Sequence, residues 1–167
     1  LVFGGGQERG LRSGTENVPG VIGFAKAAVI AKEHINGNRK KYEKLGAILR
    51  EELKKCAIEP VFLSNKKHSL ANFCTVSFPG IDAERLIYKL EAQEIYISTG
   101  AACAASKGEK SHVLTAIGLS DTEIAGSIRV TMGALNDEEQ IRTAARKIVE
   151  AVNEEAERTG HVGGQND

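Results

Sequence analysis

From residue 21 onward, apolar positions recur three and four apart at Val21, Phe24, Ala28, Ala31 and Ile35, the spacing of one helical face. The pattern resumes at Tyr42, Leu45, Ile48, Leu49 and Leu53. It predicts a long helix over 21–56, kinked or broken at Asn36-Gly37-Asn38, where glycine and asparagine disfavour helix. The period then changes. Residues 59–64 (EPVFLS) and 72–78 (NFCTVSF) read as strands, the second with Cys74, Val76 and Phe78 on one face. Asp82 is placed to cap a helix that carries Ala83, Leu86, Ile87 and Leu90 on one side. Residues 94–98 (EIYIS) read as a short strand, and 111–119 (SHVLTAIGL) as a short helix stopped at Gly118. Ser120 and Glu123 have capping-box spacing and start another turn. In 127–133, Ile128, Val130 and Met132 alternate with Arg129 and Thr131, which predicts a strand with Arg129 opposite its apolar face. Asn136 with Glu139 repeats the capping spacing and opens a last helix, with Ile141, Ala145, Ile148 and Val152 inward.

This order predicts an α+β fold, with helices packed on a small mixed or antiparallel sheet. Residues 1–20 are rich in glycine and show no helical period, so they read as an arm. Residues 21–160 read as one small domain, of which 21–56 is the long connecting helix, and 161–167 as a polar, disordered tail. A chain of 167 residues suffices for one such domain and its core.

Composition narrows the partners. Lys plus Arg and Asp plus Glu both number 22, so no global field recruits nucleic acid or an anionic membrane. No stretch approaches the roughly 18 uninterrupted apolar residues of a membrane span, and the N-terminus lacks a signal-peptide layout. The cysteines at 56, 74 and 103 are odd in number and lack CxxC spacing. That argues against a disulfide framework or a zinc site and for a reducing, cytoplasmic setting. The chain opens without methionine, and its one methionine is Met132. Both a processed chain and a fragment begin that way.

Three stretches carry candidate chemistry. GGGQERGLRSGT (4–15) matches neither common phosphate-loop pattern. It does offer Arg9, Arg12, Ser13 and Thr15 on a backbone able to bend tightly around an anion. It reads equally as a glycine-rich linker. Cys103 lies among small residues with Lys107, Lys110 and His112 close behind, the exposed, electropositive setting of a reactive thiolate. An idle surface loop fits the same residues. Arg129 either meets solvent or grips a carboxylate with its planar fork. Cys74 and Cys56 read as structural. The histidines at 34, 68, 112 and 161 are scattered, which suggests neither a metal cluster nor a hydrolytic triad.

Taken together, GGGQERGLRSGTEN (4–17), STGAACAASKGEKSHVL (98–114) and SIRVTMGALNDEEQI (127–141) resemble the C-terminal half of a cysteine desulfurase. Those enzymes are pyridoxal-phosphate-dependent relatives of the class V aminotransferases. The resemblance implies the small C-terminal domain of a fold-type I transferase, over essentially the whole chain except the tail. It places Cys103 on the catalytic cysteine, which takes sulfur from L-cysteine as a persulfide, releases L-alanine and passes the sulfur to an acceptor. A mobile tether suits that task. It places Arg129 on the arginine that pairs with the substrate carboxylate, and Thr15 on the residue that hydrogen-bonds the cofactor phosphate from the neighbouring subunit of a homodimer.

The family's Schiff-base lysine lies upstream of the glycine arm, and no lysine of this chain stands in its context. The resemblance therefore implies an inactive fragment, without covalently bound pyridoxal 5'-phosphate. Lys110 stands where many relatives have proline, and Gln7 where some have histidine. The distance from Cys103 to the helix at 111 resembles the branch that hands persulfide directly to proteins. The implied acceptors are an iron–sulfur scaffold or a tRNA-thiolation enzyme. Two other readings fit the same residues: a selenocysteine lyase, and a non-enzymatic persulfide carrier loaded at Cys103.

Overall fold

The long helix expected from the first apolar pattern is α1, Val18–Leu53. The side chain of Asn17 accepts the Gly20 amide at 3.1 Å, and Pro19 falls in the first turn, where its missing N–H costs nothing. The helix is not broken at 36–38: α1 runs continuously through Asn36, Gly37 and Asn38. A helix already formed on both sides propagates across one glycine for about 1 kcal/mol, and Arg39 pairs with Glu43 one turn on, at 2.9 Å.

The computed structural model describes residues 2–64, 69–100 and 111–160. The chain divides into two compact units, Leu1–Gly37 and Asn38–Asp167, with the boundary inside α1. In the first unit the arm closes on itself. Val2 bridges Arg12 in parallel, and the Ser13 amide donates to the Val2 carbonyl at 3.1 Å. A short 3-10 turn at Gln7–Gly10 places Glu8 and Arg9 at φ of 51° and 59°. The apolar face read from Val21, Phe24 and Ile35 is exposed in this unit, as are Val18, Ile22, Val29 and Ile30.

Among the described residues the second unit holds four strands in the order β1 (Val61–Phe62), β2 (Phe73–Ser77), β4 (Ser127–Thr131) and β3 (Ser98–Thr99), each pair antiparallel. Its helices among the described residues are the C-terminal part of α1, α2 (Ala83–Glu91), α3 (His112–Ala116), α4 (Asp121–Ala125) and α5 (Glu138–Arg158). The fold is thus α+β, and the sheet is antiparallel.

Pleating sends Cys74, Val76, Ile128 and Val130 to one side. There they join Leu45, Leu49 and Leu53 of α1, Leu86 and Leu90 of α2, and Ile141, Ala145, Ile148 and Val152 of α5 in one core. Gly126 admits no side chain, since a Cβ there would lie 2.0 Å from the Phe78 carbonyl oxygen. That contact joins β2 to β4 through a bond from the Phe78 amide to the Gly126 carbonyl at 3.0 Å.

Several caps form where the spacing placed them. Asp82 accepts the Glu84 and Arg85 amides, Ser111 accepts the Leu114 amide, and Ser120 with Glu123 makes a capping box. Two local expectations change. The cap of α5 is Asp137 with Gln140, not Asn136 with Glu139, because the Asn136 side chain accepts the Gly133 amide at 2.7 Å. Residues 94–97 are not a strand. After α2 the Ile95 amide turns back to the Leu90 carbonyl at 2.9 Å and Glu94 sits at φ 61°, so pairing starts only at Ser98. Ile95 and Ile97 pack on the core without joining the ladder.

One charged group is fully covered. The Glu155 carboxylate on α5 meets Arg85 Nε of α2 at 2.7 Å, Arg158 Nε at 2.6 Å and Lys89 Nζ at 3.3 Å. The hydrogen bond from Arg158, against the opposing effect of burial and with further bonds from Arg85 and Lys89, holds its pKa down at about 2. The cluster ties α2 to α5.

Candidate functional site

The face of the sheet opposite the core is polar. Antiparallel partners share a face, with Cβ atoms roughly 4.5–5.5 Å apart. On β4, Arg129 is paired with Thr75 of β2 on one side and Ser98 of β3 on the other. Arg129 thus stands in the middle of the polar face, opposite the apolar set, as the alternation predicts.

The ends of this face differ. Ser77 and Ser127 are buried and both donate to the Glu123 carbonyl of α4, at 2.7 and 2.6 Å. Thr131, at the other end, is exposed. Between them, Arg129 is half-buried and forms no ion pair among the described residues. Its Nε is buried and has no hydrogen-bond partner. A guanidinium without an ion pair on a polar face can offer its terminal nitrogens to a carboxylate. Thr99 Oγ1, next along β3, is also buried without a partner.

The arm shows which of its groups remain free for an anion. The Ser13 hydroxyl donates to the Gly5 carbonyl at 2.5 Å, and Arg12 Nη1 donates to the Ser13 carbonyl. Both side chains thus hold the arm's own backbone, helped by the Gly14 amide donating to Gln7 Oε1 at 3.3 Å. Gly14 takes φ 110°, a left-handed conformation that favours glycine. Thr15 follows it, exposed, and its hydroxyl has no partner among the described residues.

Cys103, Lys107 and Lys110 lie outside the described residues, as does the tail at 161–167. The other two cysteines are poor nucleophiles. Burial pushes the Cys56 thiol up to about 12, where it lines an open pocket with Pro60 and Phe62. Burial also raises Cys74, with Arg50 opposing it. Both stay protonated at neutral pH. No group of three or more His, Cys, Asp or Glu side chains is placed to hold a metal among the described residues. No described helix is long and apolar enough to cross a membrane.

Sequence reasoning missed the flanking hydroxyls of Thr75 and Ser98, because neighbours across a ladder appear only with the register. The alternation of Thr75 and Ser77 with Cys74 and Val76 was the available signal. Glu155 was missed because it lies within the apolar stripe of α5, among Ala151, Val152 and Ala156.

The chain is 37% identical over 153 residues to the putative cysteine desulfurase IscS 1 of Bacillus subtilis (strain 168), covering 91% of this chain and 40% of that protein. It is 40% identical over 153 residues to the cysteine desulfurase IscS of Methanosarcina thermophila, covering 91% of this chain and 37% of that one. The chain therefore spans about two-fifths of the length of these curated relatives.

Among solved structures, a NifS-like protein superposes with a TM-score of 0.76 at 38% identity, over 90% of this chain and 38% of its own. A NifS-like protein from Rickettsia africae ESF-5 gives a TM-score of 0.74 at 31% identity, over 94% and 39%. The small antiparallel sheet and its helices are thus shared with NifS-like proteins. Residues 5–143, which include most of the arm, the polar face and β4, match the family model for Aminotransferase class-V, and the chain belongs to that family.

Proposed function

We propose that this chain supplies the small-domain part of a cysteine desulfurase, with Cys103 as nucleophile, Arg129 as the substrate-carboxylate partner and Thr15 as a phosphate contact. In this reading 1–20 is the arm that reaches the cofactor, and 21–160 is the domain that carries the sulfur-accepting residue. The observation that carries it is Arg129: a cation on a polar face, half-buried and without a carboxylate partner among the described residues.

The described residues fit two edges of pyridoxal 5'-phosphate and its substrate. The free Thr15 hydroxyl can donate to a phosphate oxygen, and the Arg129 guanidinium can donate to the carboxylate of bound cysteine. When bound, the cofactor supplies an electron sink during cleavage of the carbon–sulfur bond. The chain's own step is at Cys103. Its thiolate attacks the substrate sulfur, forming an S–S bond as the Cβ–S bond breaks. The bonding pair stays with carbon, which takes a proton and leaves as the methyl group of L-alanine. The persulfide then passes to a sulfur-acceptor protein, an iron–sulfur scaffold or a tRNA-thiolation enzyme. The working form is a cytoplasmic homodimer in which Thr15 serves the neighbouring cofactor.

Mass spectrometry of the complete enzyme after treatment with L-cysteine is expected to find one additional sulfur on Cys103. Cys103→Ala should lose it while the cofactor stays bound. Sulfur on Cys56 or Cys74 instead would overturn the assignment.

A further inference from the structure

The charge of Arg129 suits a carboxylate, but the orphaned atom is Nε, and Nε is the part of the guanidinium that solvent does not reach. A carboxylate arriving from solution meets the terminal nitrogens first. The inner N–H then needs an acceptor from the protein itself. The register supplies two candidates, one on each side: the hydroxyl of Thr75 on β2 and that of Ser98 on β3.

Neither hydroxyl makes a hydrogen bond among the described residues. The other two hydroxyls near this face, Ser77 and Ser127, are committed to the Glu123 carbonyl. Thr75 is also held firmly at its backbone. Its amide donates to Ser64 Oγ at 3.1 Å, and its carbonyl accepts the Leu63 amide at 2.9 Å.

From this we infer that Thr75 and Ser98 are the positioning residues of Arg129. Nε has no acceptor in this structure; when a substrate carboxylate engages the terminal nitrogens, one of the two hydroxyls takes the single Nε–H and steadies the side chain, so that both terminal nitrogens face the carboxylate of an amino-acid substrate. A hydroxyl suits this place because it can rotate to accept from the guanidinium, whereas a carboxylate there would neutralise the charge the substrate must find. The inference rests on the reading of Arg129 as the carboxylate-binding residue.

The test uses the complete enzyme and 3-mercaptopropionate, which keeps the thiol and carboxylate of cysteine but has no amine to react. Its dissociation constant is measured by calorimetry, beside KM and kcat for L-cysteine. Arg129→Ala is expected to weaken binding about 100-fold, and Thr75→Val and Ser98→Ala about fivefold to tenfold each, as loss of hydrogen bonds to a charged group implies. KM should rise with kcat unchanged. Thr75→Ser, which keeps the hydroxyl, should stay within about twofold of the parent, and neither hydroxyl variant should cost more in an Arg129→Ala background.

If Arg129→Ala weakens binding while Thr75→Val and Ser98→Ala leave it unchanged, the positioning role falls and the carboxylate reading stands. An Arg129→Ala enzyme that binds the probe normally removes the carboxylate reading itself. A loss shared by Thr75→Ser would mark a packing effect and overturn the positioning role.

Discussion

The two halves of α1 have the same kind of sequence and opposite fates. Val21, Phe24 and Ile35 in the first half, like Leu45, Leu49 and Leu53 in the second, repeat at helical spacing. The second set is buried to within 1% of complete coverage, whereas Phe24 is 79% exposed. A periodic apolar stripe therefore specifies helix, and says nothing about whether a partner covers it. In the second half the partner is the sheet and α5.

Substitutions along the molecule can sharpen or break this contrast. The largest loss is expected from Leu49→Ala, about 3 kcal/mol, since it removes a covered side chain from the core and leaves a cavity. Urea unfolding of the parent and variant measures it, and a change below about 1 kcal/mol would erase the distinction between the halves.

Next comes the covered charge that seals the same unit. Glu155→Gln should destabilise by about 2 kcal/mol at neutral pH, a value kept low because Arg85 and Arg158 are half exposed. Because the folded carboxyl has its pKa lowered to about 2, its contribution is complete above the unfolded value near 4.3 and disappears as pH falls toward 2. The parent should therefore lose stability between roughly pH 5 and 2, and the variant should lose less over that window. Parallel acid-limb slopes in the two proteins would contradict this.

A smaller effect, of opposite sign, is expected where the halves meet. A Cβ at Gly37 would have no atom within 4 Å, so Gly37→Ala should stabilise the helix by about 0.5–1 kcal/mol. Helicity by circular dichroism and the unfolding midpoint report it together, and a loss of stability would mean that Gly37 is needed for something other than helix.

The smallest effect is expected at Phe24. Phe24→Ser should change the stability of this chain by less than about 0.5 kcal/mol, as befits a surface position. If the same change costs more than about 1 kcal/mol when the chain is part of a longer protein, the first half of α1 is covered there.

Much of the second unit could be read from the pattern alone, and the reasons are local. The inward stripe of α5, the Asp82 cap and the alternation around Arg129 depend only on residues within one element. What escaped depends on other elements. Nothing near residues 94–97 reveals that the turn after α2 carries Ile95 and Ile97 into the core before pairing begins. Asn136 has the right chemistry for a cap, and only the Gly133 amide, held by its side chain, moves the cap to Asp137. The candidate site divides the same way. Arg129 was legible from its own strand, whereas Thr75 and Ser98 become its neighbours only through the register of two ladders. The assignment of Cys103 came from resemblance, and its place in the fold lies outside the described residues.

The ion cluster at Glu155 also has a thermal consequence. Water holds charged groups less favourably as temperature rises, so the cost of keeping this carboxylate dry falls on heating, while the gain from apolar contact levels off. Warming thus shifts the hold between α2 and α5 from hydrocarbon toward charge. A single buried carboxylate shared by three cations makes that joint the part of the unit whose relative contribution grows with heat.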